Sequence, residues 1–259
     1  MTSRLHTTVD GPATAPVLLL GSSLGTTGAM WEPQVAALAQ RFRVIRYDHL
    51  GHGRSVVPPG PYTMDLLGRE LLRTLDDLDV PWVHYAGLSL GGMVGMWLAA
   101  HAPDRVRRLA LFCTSASLGP PAQWWDRAAT VRAAGLGAIA DAVVTRWFTP
   151  DFAAARPDVV ATHRAMLTAT SPAGYAASCE AIATMDLRPD LGRVVAPTLV
   201  VAGADDPATP LEHAREIVGR IPGARLAVVP AAAHLANVEQ PEQVCRLLRD
   251  HFDEEPGGR

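Results

Sequence analysis

Gly87-Leu88-Ser89-Leu90-Gly91 carries more structural information than any other stretch of this chain. The run before it, Val83-His84-Tyr85-Ala86, is β-branched and apolar, as a short buried strand requires, and the run after it, Leu90 to His101, reads as a helix. A serine at such a corner is held in a left-handed backbone conformation that lifts its hydroxyl clear of the sheet. The residues two positions to either side must then be small, and Gly87 and Gly91 meet that demand. The helix that begins there turns its free N–H groups and positive dipole end toward negative charge developing beside Ser89. A Gly-rich protein can contain this pentapeptide by chance, so the reading rests on what surrounds the corner.

Upstream, Leu5 to Val9 reads as an edge strand and Val17 to Leu20 as a compact apolar strand ending in the small-residue loop Gly21-Ser22-Ser23-Leu24-Gly25-Thr26-Thr27. A helix from Trp31 to Arg41 follows, then a strand from Arg43 to Tyr47, a Gly-rich turn from Asp48 to Ser55, and an amphipathic helix from Asp65 to Leu78. Downstream of the corner comes a strand from Leu109 to Cys113. Strands alternating with helices at this spacing imply right-handed βαβ units and a mostly parallel sheet. The alternation stops between Ser117 and Leu191, where Trp124, Trp125, Arg127, Arg132, Arg146 and Trp147 fall in helix-like patterns punctuated by Pro150, Pro157 and Pro172. Sheet grammar resumes with strand Thr198 to Ala202, helix Leu211 to Val218, strand Arg225 to Val229 and helix Gln240 to Phe252. The expected organisation is an α/β core made of residues 1–116 and 192–259, with residues 117–191 inserted as a helical cap. The polar, Gly-rich tail from Asp253 to Arg259 is expected to fray.

The composition narrows the chemistry. All 23 residues of the Lys and Arg class are arginines, with no lysine anywhere among the 259 residues. Schiff-base chemistry, a P-loop lysine and Ser-x-x-Lys activation are therefore excluded. A net charge of -3 with 19% charged residues gives no reason to expect nucleic acid or an anionic membrane as a partner. Cys113, Cys179 and Cys245 are odd in number and widely spaced, which fits free thiols in a reducing compartment rather than a disulfide framework or metal site. Met1 to Leu5 has no apolar signal core, and no run approaches the ~20 apolar residues of a membrane span. The cytoplasm is the expected location.

A serine hydroxyl needs an imidazole to take its proton, and the imidazole needs a carboxylate to fix its tautomer. Both belong on loops at the carboxyl ends of later strands, acid first and histidine second. Gly203-Ala204-Asp205-Asp206-Pro207-Ala208-Thr209-Pro210 leaves the Thr198 strand, and its Gly-x-x-Asp-x-x-Thr-Pro resembles the arrangement usual in hydrolases of this architecture, which implies Asp206 as the acid with Asp205 as the fallback. Pro230-Ala231-Ala232-Ala233-His234 leaves the last strand and supplies the base. His52, in Gly-His-Gly, fits a turn better than a base; His84 and His101 suit packing or capping; and His6, His163, His213 and His251 lack chemical context. No histidine pair has metal-ligand spacing, which argues against zinc hydrolysis, and a serine mechanism requires neither a metal nor an organic cofactor. The oxyanion hole is assigned to the backbone N–H groups of Leu24 and Leu90. Nucleophile, acid and base in this order identify an α/β-hydrolase fold.

Along nearly its whole length the chain also resembles the 3-oxoadipate enol-lactonases of the β-ketoadipate pathway. The resemblance runs through Ser23-Leu24-Gly25-Thr26-Thr27 with Met30-Trp31, Gly60-Pro61-Tyr62-Thr63, Gly87 to Met93 with Trp97-Leu98, and Arg146-Trp147-Phe148-Thr149. It continues in Gly174-Tyr175-Ala176, Met185-Asp186-Leu187-Arg188 and Ala202 through Pro210. It implies ring opening of an enol-lactone in aromatic catabolism, a small lactone or ester substrate bearing a carboxylate, and Ser89, Asp206 and His234 as the triad. A buried substrate carboxylate needs a cation, and without lysine a cap arginine is the natural choice. Arg132 and Arg146 are the candidates, with Trp124 and Trp147 as walls. His49-Leu50 and Met96 depart from residues common in the family and are expected to border the acyl pocket. A carboxylesterase or a different lactonase is the enzymatic alternative, and a ligand sensor on the same fold is the non-enzymatic one.

Overall fold

The computed structural model describes residues 5–253. The expectations for the N-terminal residues 1–4 and for the tail 254–259 lie outside the described residues.

Seven strands form one sheet in the order β1-β3-β2-β4-β5-β6-β7. They are β1 (Thr7–Asp10), β2 (Val17–Gly21), β3 (Arg43–Tyr47), β4 (Val83–Leu88), β5 (Val106–Phe112), β6 (Thr198–Gly203) and β7 (Arg225–Val229). Only the edge strand β1 is antiparallel to its neighbour. The sheet is therefore mostly parallel, as the alternation of strand and helix patterns requires. Strand β6 is buried at every residue and β4 at all but His84. A strand without an exposed face must be covered on both sides, which is why these runs read as continuously apolar rather than alternating.

The helices are α1 (Glu32–Leu38), α2 (Met64–Asp77), α3 (Leu90–His101), α4 (Pro121–Ala134), α5 (Ala140–Val144), α6 (Pro150–Ala155), α7 (Pro157–Ala169), α8 (Pro172–Ala183), α9 (Leu211–Arg220), α10 (Ala236–Glu239) and α11 (Pro241–Asp253). Helix α3 packs across β2, β4 and β5 with α2 behind it, while α1 and α11 pack on each other. Between β5 and β6 the chain forms α4 to α8 and no strand, and α4 and α8 lie along each other. Among the described residues no helix is long and apolar enough to cross a membrane.

Because β2 is followed by β3 on one side while β4 starts on the other, strand order reverses between β2 and β4. Loops leaving the carboxyl ends of these two strands diverge and open a crevice. The Gly21–Thr27 loop and Ser89 occupy those two ends.

Candidate active site

Ser89 has φ 55° and ψ −114°, a conformation that costs a non-glycine residue about 1–3 kcal/mol. Its surroundings enforce it. The Ser89 N–H donates to the Phe112 carbonyl at 2.9 Å, and the Thr114 hydroxyl donates to the Ser89 carbonyl at 2.8 Å. A Cβ on Gly87 would lie 2.3 Å from the Gly91 carbonyl oxygen, and one on Gly91 would lie 2.3 Å from that of Gly21. The two glycines of the pentapeptide thus let the corner, α3 and β2 come together. Tyr85 donates to the Gly91 carbonyl at 2.7 Å, so the Tyr47 hydroxyl, 2.9 Å away, must be the donor to Tyr85.

The loop after β2 is held from beneath. Gly91 N–H and His49 Nε2 both reach the Ser22 carbonyl, each at 2.9 Å. His52 donates from Nδ1 to the Leu50 carbonyl at 3.0 Å, which leaves Nε2 to accept the Gly25 N–H at 3.0 Å. Burial lowers the pKa of both rings, that of His49 to about 3 with His52 adding to the effect, so both stay neutral. Among the described residues the N–H groups of Leu24 and Leu90 donate to no acceptor within the protein. Two such amides, one from each crevice loop, are what a developing oxyanion needs.

Asp206 is buried on the loop after β6, and its Oδ2 lies 2.9 Å from His234 Nδ1. The same oxygen accepts the Thr209 hydroxyl at 2.6 Å, and Oδ1 accepts the N–H groups of Ala208 and Thr209 at 2.8 and 3.1 Å. Burial alone would raise its pKa. The attraction of His234 and hydrogen bonds from His234 and Thr209 outweigh it and bring the carboxyl down to about 2. An ionised Asp206 accepts only, so His234 carries its hydrogen on Nδ1 and keeps Nε2 as the basic nitrogen. No hydrogen bond joins the Ser89 hydroxyl to His234, although both line one cavity of about 260 Å³.

Helices α4, α5 and α8 and the loop after α5 supply the roof of that cavity. Trp124, Arg127, Val143, Arg146, Trp147 and Tyr175 line it from above. Arg127 lies over the Trp124 ring at 4.4 Å and interacts with the Tyr175 hydroxyl. Burial, and then the charge of Arg127, lower the pKa of Arg146. Among the described residues neither arginine has a carboxylate within ion-pair distance. Two like charges held in a partly desolvated cavity favour an anion between them.

A family model for the α/β hydrolase fold matches residues 16–241. The chain belongs to the α/β-hydrolase family. The 3-oxoadipate enol-lactonase 2 of Acinetobacter baylyi is 41% identical, over 90% of this chain and 86% of its own. The enol-lactonase structure from Burkholderia xenovorans LB400 superposes with a TM-score of 0.95 at 42% identity, over 96% of each chain. A hydrolase structure from Pseudomonas aeruginosa gives 0.93 at 47% identity, over 96% of this chain and 94% of its own.

In this α/β-hydrolase the structure brings Ser89, Asp206, His234, Leu24, Trp124, Trp147 and Arg146 to one place, with Leu90 adjoining Ser89. Asp205 is exposed, so the neighbouring carboxylate makes the contact to His234. Arg132 does not belong to the cavity: its side chain is half-exposed and ion-pairs with Glu180 of α8. Five residues apart on α4, Arg127 and Arg132 point about 140° away from each other, so only one can face inward. Arg127 shares its face with the buried Trp124 and Val131 at i, i+3 and i+7 spacing. That periodicity was a usable signal in the sequence. His49, Leu50 and Met96 do not line the pocket; all three are buried, and His49 braces the oxyanion loop instead.

Two further residues were not expected from the sequence. His213, in the first turn of α9, lines the cavity. Glu239 of α10 accepts from the Ala233 N–H with one oxygen and from the Thr149 N–H and hydroxyl, at 2.7 and 2.8 Å, with the other. It ties the His234 loop to the roof, alongside the Leu235 N–H bond to the Trp147 carbonyl at 3.0 Å. Burial raises its pKa, and the hydrogen bonds from Thr149 and Ala233 offset part of that rise.

Proposed function

We propose that this α/β-hydrolase is a serine hydrolase that opens the ring of 3-oxoadipate enol-lactone to 3-oxoadipate in aromatic-compound catabolism. Its relatives support the coarser statement that it hydrolyses small esters or lactones. The observation that carries the finer reading is the pair Arg127 and Arg146, without carboxylate partners, in the cavity that holds Ser89, His234 and the Asp206 contact. The substrate is a small ester whose second group is an anion, and this cavity offers both a nucleophile and a cationic roof.

In this reading His234 Nε2 takes the Ser89 proton as Oγ attacks the lactone carbonyl, and the Leu24 and Leu90 amides hold the oxyanion. Asp206 keeps the Nδ1–H tautomer and stabilises the imidazolium. Collapse expels an enolate, a better leaving group than an alkoxide, and ketonisation removes the nucleophile that would close the ring again. Water activated by His234 then releases the acyl group from Ser89. Residues 117–191 act as the cap that selects the substrate over the core formed by 1–116 and 192–259. No step calls on a metal or an organic cofactor.

Loss of enol-lactone absorbance on adding the wild-type protein, with no loss on adding Ser89→Ala, is the expected result. Turnover of simple esters alone would remove the enol-lactone and leave the serine-hydrolase chemistry standing.

A further inference from the structure

The cavity holds a second imidazole. His213 Nδ1 lies 2.8 Å from the hydroxyl oxygen of Ser115, a fully buried residue on the loop after β5. That hydroxyl is also 2.6 Å from the Ser117 carbonyl and receives the Ser117 N–H at 3.2 Å. A carbonyl can only accept, so the single Ser115 hydrogen goes to Ser117. Ser115 Oγ therefore accepts from His213, and Nδ1 carries the hydrogen. His213 Nε2 is left without a hydrogen and with no hydrogen-bond partner among the described residues, on a residue that lines the cavity. The backbone N–H of His213 is bonded to the Pro210 carbonyl at 2.9 Å, which fixes the ring's base on the same loop-to-helix segment that carries Asp206. Ser115 thus does for His213 what Asp206 does for His234: it fixes the tautomer with the hydrogen on Nδ1 and leaves Nε2 free. The difference is that Ser115 is neutral, so it forms no ion pair that would hold a proton on the ring once an imidazolium has formed.

We infer that His213 is the acid that protonates carbon in the ketonisation step. This rests on the enol-lactone reading, because only an enolate leaving group needs a proton on carbon. When the ring C–O bond breaks, its electron pair stays on oxygen as the enolate. His213 Nε2 first takes a proton from solvent, making the ring an imidazolium. The enolate then collapses to the ketone as its carbon forms a bond to that hydrogen, and the N–H electron pair stays on the imidazole, which is left with its one hydrogen on Nδ1. The separate Ser89 proton passes from His234 to solvent once the enolate has left, which frees His234 Nε2 to take a proton from the hydrolytic water and return it to Ser89. Each imidazole thus handles its own proton and neither has to serve both ends of the opened chain.

Turnover in D2O tests this, with immediate borohydride reduction of the ketone to stop exchange. A proton delivered by a fixed side chain gives one configuration at the methylene formed from the ring's vinylic carbon, whereas ketonisation in free solution gives both equally. The wild-type product is expected to carry deuterium in one configuration. His213→Asn is expected to open the ring but release an enol that ketonises outside the site, with a transient enol absorbance and a racemic label. Ser115→Ala, which keeps the imidazole but frees its tautomer, is expected to give an intermediate excess. A racemic wild-type product overturns the proposal without any variant, and so does a single configuration retained by His213→Asn at wild-type turnover. Failure of the wild-type protein to open the enol-lactone at all overturns the substrate reading and this inference together, a result distinct from either of those.

Discussion

On the floor of the cavity, Asp206 takes hydrogen bonds from Ala208, Thr209 and His234, and its charge is fully matched. Across the roof, Arg127 and Arg146 stand among Trp124, Trp147 and Tyr175, with no carboxylate within ion-pair distance among the described residues. The floor is electrostatically complete without a substrate, while the roof is completed by one. A site that performs the same bond cleavage on many esters needs only the first arrangement. In the proposed function the second is a device for choosing among them, and its burden is a desolvated positive charge that an anionic substrate would relieve.

The largest test of this division is on the floor. Ser89→Ala should lower kcat by at least about 10^4-fold, since the remaining donors and the base supply only the residual rate. Asp206→Asn should cost about 10^4-fold in kcat by allowing the wrong His234 tautomer. It should also change acid stability. The folded carboxyl sits at about 2 against its ordinary 3.8, so its contribution of about 2 kcal/mol is complete above about pH 4 and is lost as pH falls through about 2. Urea titrations between these pH values should show that slope in the wild-type protein and a flatter one in Asp206→Asn.

The roof should respond differently. Arg146→Met should raise KM for the carboxylate-bearing lactone by about ten- to a hundredfold, the worth of one charged hydrogen bond, and change kcat for an uncharged ester little. Equal losses on both substrates would erase the distinction between floor and roof. Glu239, which joins the two, should cost about 1–3 kcal/mol of unfolding free energy as Glu239→Gln, because one oxygen that accepts becomes an NH2 that cannot. Smallest of all, Arg132→Ala should leave KM for the charged lactone unaltered and shift stability by less than about 1 kcal/mol, as a half-exposed ion pair allows.

The same division governs what the sequence revealed. Floor residues were legible because each sits at a strand end whose local chemistry is stereotyped. Gly87 and Gly91 are demanded by backbone contacts under 2.5 Å, Asp206 lies in a Thr-Pro turn, and strands such as Arg43–Tyr47 are bounded by turn residues. Roof residues depend on how five helices pack on one another, which neither periodicity nor order encodes well. Arg132 was a reasonable candidate by composition and the wrong one by helix phase. His49 was misread for a related reason: a departure from the family pattern attracts a functional explanation, yet the ring points down at the Ser22 carbonyl. His213 and Glu239 act through contacts to residues distant in sequence, Ser115 and Thr149, and nothing in their own neighbourhoods announces it.

One measurement tests the central claim most directly: the ratio of kcat/KM for the carboxylate-bearing enol-lactone to that for its neutral methyl ester, in the wild-type protein and in Arg127→Met/Arg146→Met. The wild-type ratio should exceed one by two orders of magnitude or more, at about 1.4 kcal/mol for each tenfold step. The double variant should bring it close to one while still cleaving the neutral ester through Ser89. A ratio that survives loss of both guanidiniums, or that is near one in the wild-type protein, would contradict the assignment of selection to the roof.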